Sequence, residues 1–250
     1  MNHGYLLLIL LVILIAGCSS PAPTSCPSSC DDSLSCTTDY CSNETSFVCV
    51  HNMTYLTPIF EDSMSNDLSK WNDVYKSNAW NVSDGVLKTD YVSIPNSLPS
   101  YLLASGINAF KGDYVLAGKF KLEDGVFVII LRLNDFKGYS LWLMENMALL
   151  LKVNSTTPGT PPTILSMAQT PITKDVWLNF KAIAVGDKFL VYLEDIKIMD
   201  VVDDNGLLSS GNFGFTMSSQ AFDNIYEKAA VEIDDVMIYE VNESNYLCTP

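Results

Sequence analysis

The chain has 250 residues and a formal net charge of −15, with 14 Lys and Arg against 29 Asp and Glu, and 48% of its residues are apolar. This composition is typical of a globular protein and excludes both a disordered chain and a polytopic membrane protein. Nucleic-acid binding needs clustered basic side chains, which an acidic chain with a single arginine does not supply. The only histidines, His3 and His51, likewise exclude a His-rich metal site.

Residues 5–16 (YLLLILLVILIA) form an unbroken apolar run. The run is shorter than the roughly 20 residues of a membrane-spanning helix, and it fits the apolar region of a secretory signal. The following Ala16-Gly17-Cys18 resembles a prokaryotic lipobox, although no Lys or Arg precedes the run. The resemblance implies a signal peptide of residues 1–17 and a lipid on Cys18, which would anchor the chain to the outer side of the cell membrane. The alternative is an ordinary cleaved signal with Cys18 unmodified.

Residues 18–25 are rich in Ser and Pro and predict an extended tether. A cysteine-rich module follows at residues 26–52, with few large apolar side chains, so cross-links must hold it together. With Cys18 assigned to lipid, the number of remaining cysteines is even, as a disulfide framework requires. These six cysteines are Cys26, Cys30, Cys36, Cys41, Cys49 and Cys248.

Five of the six cysteines lie in the module, so one of them needs a partner elsewhere, and Cys248 is the cysteine that remains. We therefore predict a disulfide between the module and the C-terminal strand, whereas the pairing of the other four is not fixed by the sequence. Zinc is the alternative, but no Cys-x2-Cys pair occurs.

The module text, from Cys30-Asp31-Asp32 to Cys49-Val-His51, resembles a short cysteine-rich repeat of secreted prokaryotic proteins, with Ser33 in place of the usual glycine. Asp31, Asp32 and Asp39 would then be either calcium ligands or solvated turn residues. Five Asn-x-Ser/Thr sequons are candidate glycosylation sites in a host that glycosylates exported proteins. They are Asn43, Asn52, Asn81, Asn154 and Asn242.

Short alternating segments separated by Asp-Gly, Lys-Gly and Asn-Gly turns predict an all-β sandwich over residues 53–247. In residues 176–182, for example, Val176, Leu178, Phe180 and Ala182 share one face of a strand. The predicted strands are residues 86–89, 101–104, 114–122, 126–134, 139–144, 148–153, 177–185, 188–193, 197–201, 212–217 and 231–241.

The order of motifs in this domain resembles that of concanavalin A-like lectin and glucanase sandwiches of the laminin-G-like kind, including domains near the 3-keto-disaccharide hydrolase-like group. The motifs are residues 60–62 (FED), 67–71 (DLSKW), 80–87 (WNVSDGVL), 131–135 (LRLND), 191–196 (VYLEDI), 211–215 (GNFGF) and 231–236 (VEIDDV). The resemblance implies a two-sheet antiparallel jelly roll and carbohydrate binding as its commonest activity. Glu194-Asp195 stands where the family usually has Asp-Gly.

The resemblance assigns no catalytic residues. Family 16 glucanases with this fold carry Glu-x-Asp-x-x-Glu on one strand, because alternate carboxylates face the cleft. The nearest match begins at Glu232 and Asp234 but ends in Met237. Sandwiches of this type often hold one calcium ion between the first and last strands, for which Glu61, Asp62, Asp234 and Asp235 are candidate ligands; unpaired surface carboxylates are the alternative.

A sugar-binding face needs exposed aromatic rings with polar groups beside them. We expect Trp71, Trp80 and Trp177 to pack in the interior, whereas Trp142 lies opposite Leu141 and Leu143 in its predicted strand. The candidate binding residues are Arg132, Asn134, Trp142 and Lys152, and the alternative is that Trp142 is buried and Arg132 pairs with a carboxylate.

Three functions remain open at this point. The chain is expected to bind carbohydrate or another surface ligand non-covalently at the cell surface. The alternatives are an exported glycan-processing hydrolase with a different carboxylate pair, and a structural envelope or adhesion protein without a sugar pocket.

Overall fold

The structure is a computed structural model. It describes residues 25–30, 37–46, 49–53, 56–64, 67–74, 79–91, 101–105, 110–134, 137–154, 161–206, 209–218, 220–221, 224–225, 228–242 and 245–248. The chain divides into two compact units, residues 1–54 and 55–250. The described residues contain no helix of the length and hydrophobicity needed to cross a membrane.

In chain order the strands are β1 Thr37–Tyr40, β2 Val50–Met53, β3 Phe60–Asp62, β4 Trp71–Asp73, β5 Trp80–Ser83, β6 Val86–Tyr91, β7 Leu102–Ala104, β8 Phe110–Lys111, β9 Asp113–Asp124, β10 Val126–Asn134, β11 Lys137–Met144, β12 Met147–Val153, β13 Thr163–Gln169, β14 Trp177–Val185, β15 Lys188–Leu193, β16 Ile196–Val202, β17 Ser210–Ser218, β18 Gln220–Ala221, β19 Asn224–Ile225 and β20 Ala229–Val241, followed by a 3-10 turn at Tyr246–Cys248.

The first unit is built on the β1–β2 hairpin and two disulfides. Cys26 pairs with Cys41 and Cys30 pairs with Cys49, which confirms that the module is disulfide-bonded. Cys36 and Cys18 lie outside the described residues, so the disulfide predicted for Cys248 stays a prediction.

The second unit is a sandwich of two antiparallel sheets. Sheet I has the order β16-β15-β14-β9-β20-β6-β5, with β3 also paired to β20. Sheet II has the order β13-β12-β11-β10-β17-β7-β4, with β8 also paired to β17. The predicted all-β fold is therefore confirmed, and each predicted strand is present with its ends shifted by at most two residues.

The core lies between the sheets, where the alternation of apolar residues directs large side chains inward. Phe120 and Phe180 of sheet I meet Phe127 and Phe215 of sheet II, and the ring centroids of Phe120 and Phe127 are 5.3 Å apart. On β14, Leu178, Phe180 and Ala182 are buried as the alternation predicted. The side chains between them consequently face outward from sheet I.

Strand β13 was not predicted. It lies at the edge of sheet II and pairs with β12, and its side chains are exposed or half-buried. Alternation of apolar and polar residues appears where one face of a strand is buried and the other is exposed. Neither face of β13 is buried, and its sequence TILSMAQ does not alternate strictly.

Candidate functional site

The outer face of sheet I is formed by side chains that alternate with the core residues. Cross-strand pairing sets Tyr192 of β15, Lys181 of β14, Ala117 of β9 and Met237 of β20 side by side in one row. The next row along β14 has Asn179 beside Lys119. Side chains from four strands that are distant in sequence therefore meet on one surface.

A cavity of about 300 Å³ opens on this face. Its lining residues are Ala117, Gly118, Lys119, Asn179, Phe180, Lys181, Tyr192, Asp195, Asp235 and Met237. A small residue makes the depression, because Ala117 leaves space between the longer side chains of neighbouring strands. On the opposite, core-facing side, a Cβ at Gly118 would lie 3.0 Å from the Phe180 ring, so a larger residue there would require the ring to shift.

Both carboxylates of the cavity lie at backbone positions in the left-handed region. Asp195 (φ 60°) follows Glu194 (φ 49°) in the two-residue turn between β15 and β16, which is the conformation of a type I′ hairpin. Asp235 (φ 51°) is the extra residue of a bulge in β20, where the pairing with β9 shifts between Asp234 and Met237. The type I′ turn and the bulge account for these conformations, and aspartate tolerates them better than most residues.

Charged groups order the cavity wall. Lys119 Nζ lies 2.7 Å from Asp235 and 3.2 Å from Asp234. The hydrogen bond to Asp235, with Asp234 beside it, raises the pKa of Lys119 despite partial burial. Burial lowers the pKa of Lys181, and the negative charge of Asp195 opposes this shift without cancelling it. The site thus has one lysine held by carboxylates and one poorly solvated lysine.

A second cavity, of about 120 Å³, adjoins the first. Lys181, Tyr192 and Asp195 line both cavities, and Tyr246 and Leu247 form the far wall of the smaller one. The three shared side chains therefore stand between two depressions on the same sheet face.

Trp177 is also on this face, and the expectation that it packs in the interior is wrong. Its side chain is 38% exposed, whereas Trp71 and Trp80 are buried in the core as expected. Lys119 and Lys121 lie 5.8 and 5.7 Å from the centroid of the Trp177 ring. Trp177 starts β14 and lies on the same side as Asn179 and Lys181, because alternate residues of a strand share a face.

The structure does not bring the four predicted ligand residues together. Arg132 is only 1% exposed, and it donates hydrogen bonds to Gly186 O (2.6 Å), Ala184 O (3.2 Å) and Asp113 Oδ1 (3.1 Å). Its backbone is left-handed (φ 52°) within a bulge of β10, which turns the side chain toward sheet I. Arg132 therefore joins the two sheets. Its ion pair with Asp113 agrees with the alternative in which Arg132 pairs with a carboxylate.

The other three candidates are also separated. Lys152 is buried, where it contacts Asp203 Oδ2 (2.7 Å) and donates to Asn205 O (2.7 Å). Trp142 is half-buried on the outer face of sheet II, packed against an apolar cluster, with its Nε1 donating to Ser140 Oγ (3.2 Å). Asn134 is exposed at the end of β10. Lys152 and Trp142 lie on opposite faces of sheet II.

The four candidate calcium ligands are not assembled into one site. Strands β3 and β20 are neighbours as expected, but Asp62 is buried and accepts hydrogen bonds from Trp71 Nε1 (2.7 Å) and Met64 N (2.9 Å). Asp234 and Asp235 face Lys119, and Glu61 lies beside Met237. Among the residues that the structure describes, no three His, Cys, Asp or Glu side chains are grouped closely enough to hold a metal ion.

Two residues within the span of the incomplete glucanase-like motif line the cavity: Met237, at the missing third carboxylate position, and Asp235, at an unspecified position of the motif. Glu232 lies 2.8 Å from Lys121 and 3.5 Å from Lys88. Burial raises the pKa of Glu232, but the two lysines outweigh it and the pKa is lowered. The Glu232 carboxylate is thus engaged by two lysines of neighbouring strands.

Of the glycosylation candidates, Asn43, Asn81, Asn154 and Asn242 are exposed. Asn52 lies on β2.

The fold is shared with a solved carbohydrate-binding module, a solved protein in complex with laminari-oligosaccharides, and a solved protein of unknown function. Carbohydrate-binding module CBM66 from Bacillus subtilis matches 68% of this chain and 96% of its own, with a TM-score of 0.53 and 18% identity. LamA from Z. galactanivorans, in complex with laminaritriose and laminaritetraose, matches 75% of this chain and 100% of its own, with a TM-score of 0.53 and 15% identity. A Bacillus subtilis protein of unknown function with a galectin-like fold matches 75% of this chain and 97% of its own, with a TM-score of 0.52 and 12% identity.

These identities show a common two-sheet jelly roll and nothing finer. No protein-family model matches the chain, and no curated protein matches it.

The sequence interpretation missed Lys181, Tyr192 and Asp195, and it placed Asp235 in a different site. Two signals pointed to them: the polar side chains that alternate with Leu178 and Phe180 on β14, and the Glu194-Asp195 pair at a turn where the resembling family has Asp-Gly.

Proposed function

We propose that the β-sandwich binds glycan non-covalently in the 300 Å³ cavity of sheet I. The observation that carries the proposal is the combination, in one cavity, of the Tyr192 ring with the hydrogen-bonding groups of Asn179, Lys181, Asp195 and Asp235. Sugars bind through apolar C–H faces stacked on aromatic rings, with a few placed polar groups fixing their orientation.

The charges of the cavity favour an uncharged ligand rich in hydroxyl groups. Two lysines, Lys119 and Lys181, face two aspartates, Asp195 and Asp235, so the cavity lining has no net charge. Hydroxyl groups both donate and accept hydrogen bonds, and they match such a mixed lining better than a carboxylate or an ammonium group does. The carbohydrate-binding module and the laminaritriose complex among the structural neighbours support this ligand class through the shared fold.

The direct test is a glycan array probed with the full-length protein, with and without calcium. We expect binding to at least one class of neutral glycan, and a loss of about fivefold or more in affinity for Tyr192→Ala, because a lost stacking contact is worth about 1 kcal/mol or more. Met167→Ala, which removes an exposed apolar side chain from sheet II, is the matched control and should leave binding unchanged. Absence of binding to every glycan would leave the structural or adhesion role and refute this proposal.

We further propose that the protein is an exported lipoprotein held at the outer side of the cell membrane by lipid on Cys18. The disulfides of the module support export, because such bonds persist in oxidising compartments. The apolar run at residues 5–16 and the lipobox-like Ala16-Gly17-Cys18 support the anchor. The test is fractionation: Cys18→Ser should move the protein from the membrane to the soluble fraction, and unchanged membrane retention would contradict the anchor.

Glycan hydrolysis is the second candidate, and one observation favours it. Asp195 and Asp235 both line the cavity, and glycoside hydrolysis usually requires two carboxylates around the bond that is cleaved. New reducing ends released from the glycan that the array identifies, and lost in both Asp195→Asn and Asp235→Asn, would establish this activity. Binding without release would assign the cavity to recognition alone.

A further inference from the structure

We propose that the ligand of sheet I is a linear oligosaccharide lying along β14, with Trp177 as a second stacking platform outside the cavity. This inference rests on the proposed glycan-binding function and adds the length and direction of the ligand.

The outer face of sheet I extends along β14 for longer than one sugar unit. Trp177 and Lys181 are four residues apart on one strand, which corresponds to about 13 Å at the rise of an extended chain. From Trp177 to Ile183, which lines the smaller cavity, the distance is about 20 Å on the same basis. A single sugar ring covers only a part of this length, whereas a chain of several sugar units spans it.

Trp177 and the two cavities adjoin one another along β14. Lys119 lines the main cavity and also lies 5.8 Å from the Trp177 ring centroid, so the cavity wall leads directly to the tryptophan. At the other end, Lys181, Tyr192 and Asp195 line both the main and the smaller cavity. Trp177, the main cavity and the smaller cavity therefore follow one another on one side of the sheet.

The Trp177 ring has ion-paired neighbours on one side. The two lysines beside it come from β9, and each is held by a carboxylate: Lys121 lies 2.8 Å from Glu232, and Lys119 lies 2.7 Å from Asp235. On the other side, β15 ends at Leu193 opposite Phe180, so no strand in the described part of the chain flanks Trp177 there. The Trp177 side chain is thus 38% exposed and lies beside two ion-paired lysines, and such preorganisation lowers the cost of binding.

The two rings are also placed to act separately. Tyr192 lies opposite Lys181 on the neighbouring strand, so Trp177 is about 13 Å farther along the strand direction. A sugar stacked on Tyr192 does not reach Trp177, and a second contact requires further units of the same chain. Affinity must then rise with chain length, and the rise must depend on Trp177.

The experiment is calorimetric titration of the full-length protein with oligosaccharides of one to six units from β-1,3-glucan, β-1,4-glucan, fructan and chitin series. We expect the affinity for the recognised series to increase with length by about fivefold or more, the value of one aromatic stacking contact. Trp177→Ala should remove this increase and leave the affinity for the shortest bound sugar unchanged. Trp177→Phe, which keeps a ring, should restore part of the increase.

Circular dichroism and thermal unfolding of each variant establish that it is folded, and Met167→Ala on sheet II is again the control. Affinity that does not depend on length, or a Trp177→Ala variant that keeps the full increase, would overturn this inference and leave the proposed function standing. Failure of all series, together with a negative glycan array, would overturn the proposed function itself.

Discussion

The buried ion pair between Lys152 and Asp203 gives the sharpest stability prediction. Lys152 Nζ lies 2.7 Å from Asp203 Oδ2, and Tyr139 donates its hydroxyl to the same oxygen at 2.9 Å. Asp203 is only 6% exposed. The substitution Asp203→Asn keeps the size of the side chain and removes its charge, so that Lys152 is left as a buried cation without its counter-charge.

The magnitude follows from this geometry. Removal of one partner of a buried ion pair costs about 3–5 kcal/mol. Lys152 keeps its hydrogen bond to Asn205 O, and an asparagine still accepts from Tyr139, so we expect the lower end, about 3 kcal/mol. For a protein of this size that loss corresponds to a decrease of about 6–12 °C in the melting temperature.

The pH dependence has a definite sign. Burial raises the pKa of Asp203, but hydrogen bonds from Lys152 and Tyr139 and the lysine charge outweigh it, so the pKa lies below its ordinary value. The stabilisation is therefore complete above the unfolded pKa of about 3.9 and is lost as the pH falls through the folded pKa. The difference between wild type and Asp203→Asn should be large at neutral pH and shrink in strong acid.

The assay is urea and thermal unfolding followed by circular dichroism, from neutral pH to the lowest pH at which the protein stays folded. Asp200→Asn is the matched control, because Asp200 pairs with Lys197 at 2.6 Å on the surface, where an ion pair contributes little. Equal effects of the two substitutions, or a difference for Asp203→Asn that stays constant in acid, would refute the reasoning.

Three further predictions concern the cavity, the bulge and the cysteines. Asp195→Gly should weaken glycan binding several-fold in calorimetry while raising the free energy of unfolding by up to about 1 kcal/mol, because glycine relieves the left-handed conformation. Arg132→Met should lower the melting temperature by several degrees, because it leaves Asp113 and two carbonyl groups without their guanidinium donors. Cys248→Ser should release one thiol, on Cys36, detectable by a thiol reagent in denatured, unreduced protein.

Each of these predictions has an outcome that contradicts it. An Asp195→Gly protein that binds as wild type would remove Asp195 from the site, and an Arg132→Met protein as stable as wild type would show that the bulge needs no guanidinium. A Cys18→Ser chain that reacts with the thiol reagent without reduction would exclude the disulfide between Cys36 and Cys248, because no other cysteine is then left unpaired.

The fold was predictable because short apolar segments are separated by turn residues, and alternation is visible in strands such as β14, although β10 and β12 are buried on both faces. The same rule failed at Arg132 for a physical reason. Counting by twos from Val128 through Ile130 places Arg132 on the outer face of sheet II, but a bulge shifts the register between Leu131 and Asn134. A bulge inserts one residue and reverses the faces beyond it, and nothing in the count reveals it.

Lys152 shows a different failure. Its register partner is Tyr139, a core residue, so alternation from Ala148 and Leu150 places Lys152 in the interior. A lysine is expected to be exposed unless it has a buried partner. The partner of Lys152, Asp203, lies about 50 residues farther along the chain, and the sequence does not show that the two side chains meet.

The cavity could not be predicted from the sequence for a similar reason. Ala117, Lys181, Tyr192 and Met237 come from four strands, and only their register sets them in one row. Alternation does predict that Trp177, Asn179 and Lys181 face outward together, but the sequence of β14 does not show which residues of the neighbouring strands lie beside them.

The central claim is that the outer face of sheet I binds glycan, and the most direct measurement is an NMR titration of the isotope-labelled full-length protein with the glycan that the array identifies. The account predicts shift changes confined to the outer-face residues of β9, β14, β15 and β20, among them Lys181, Tyr192 and Asp235. Shift changes centred on Trp142 of sheet II, or binding that leaves the spectrum of sheet I unchanged, would contradict it.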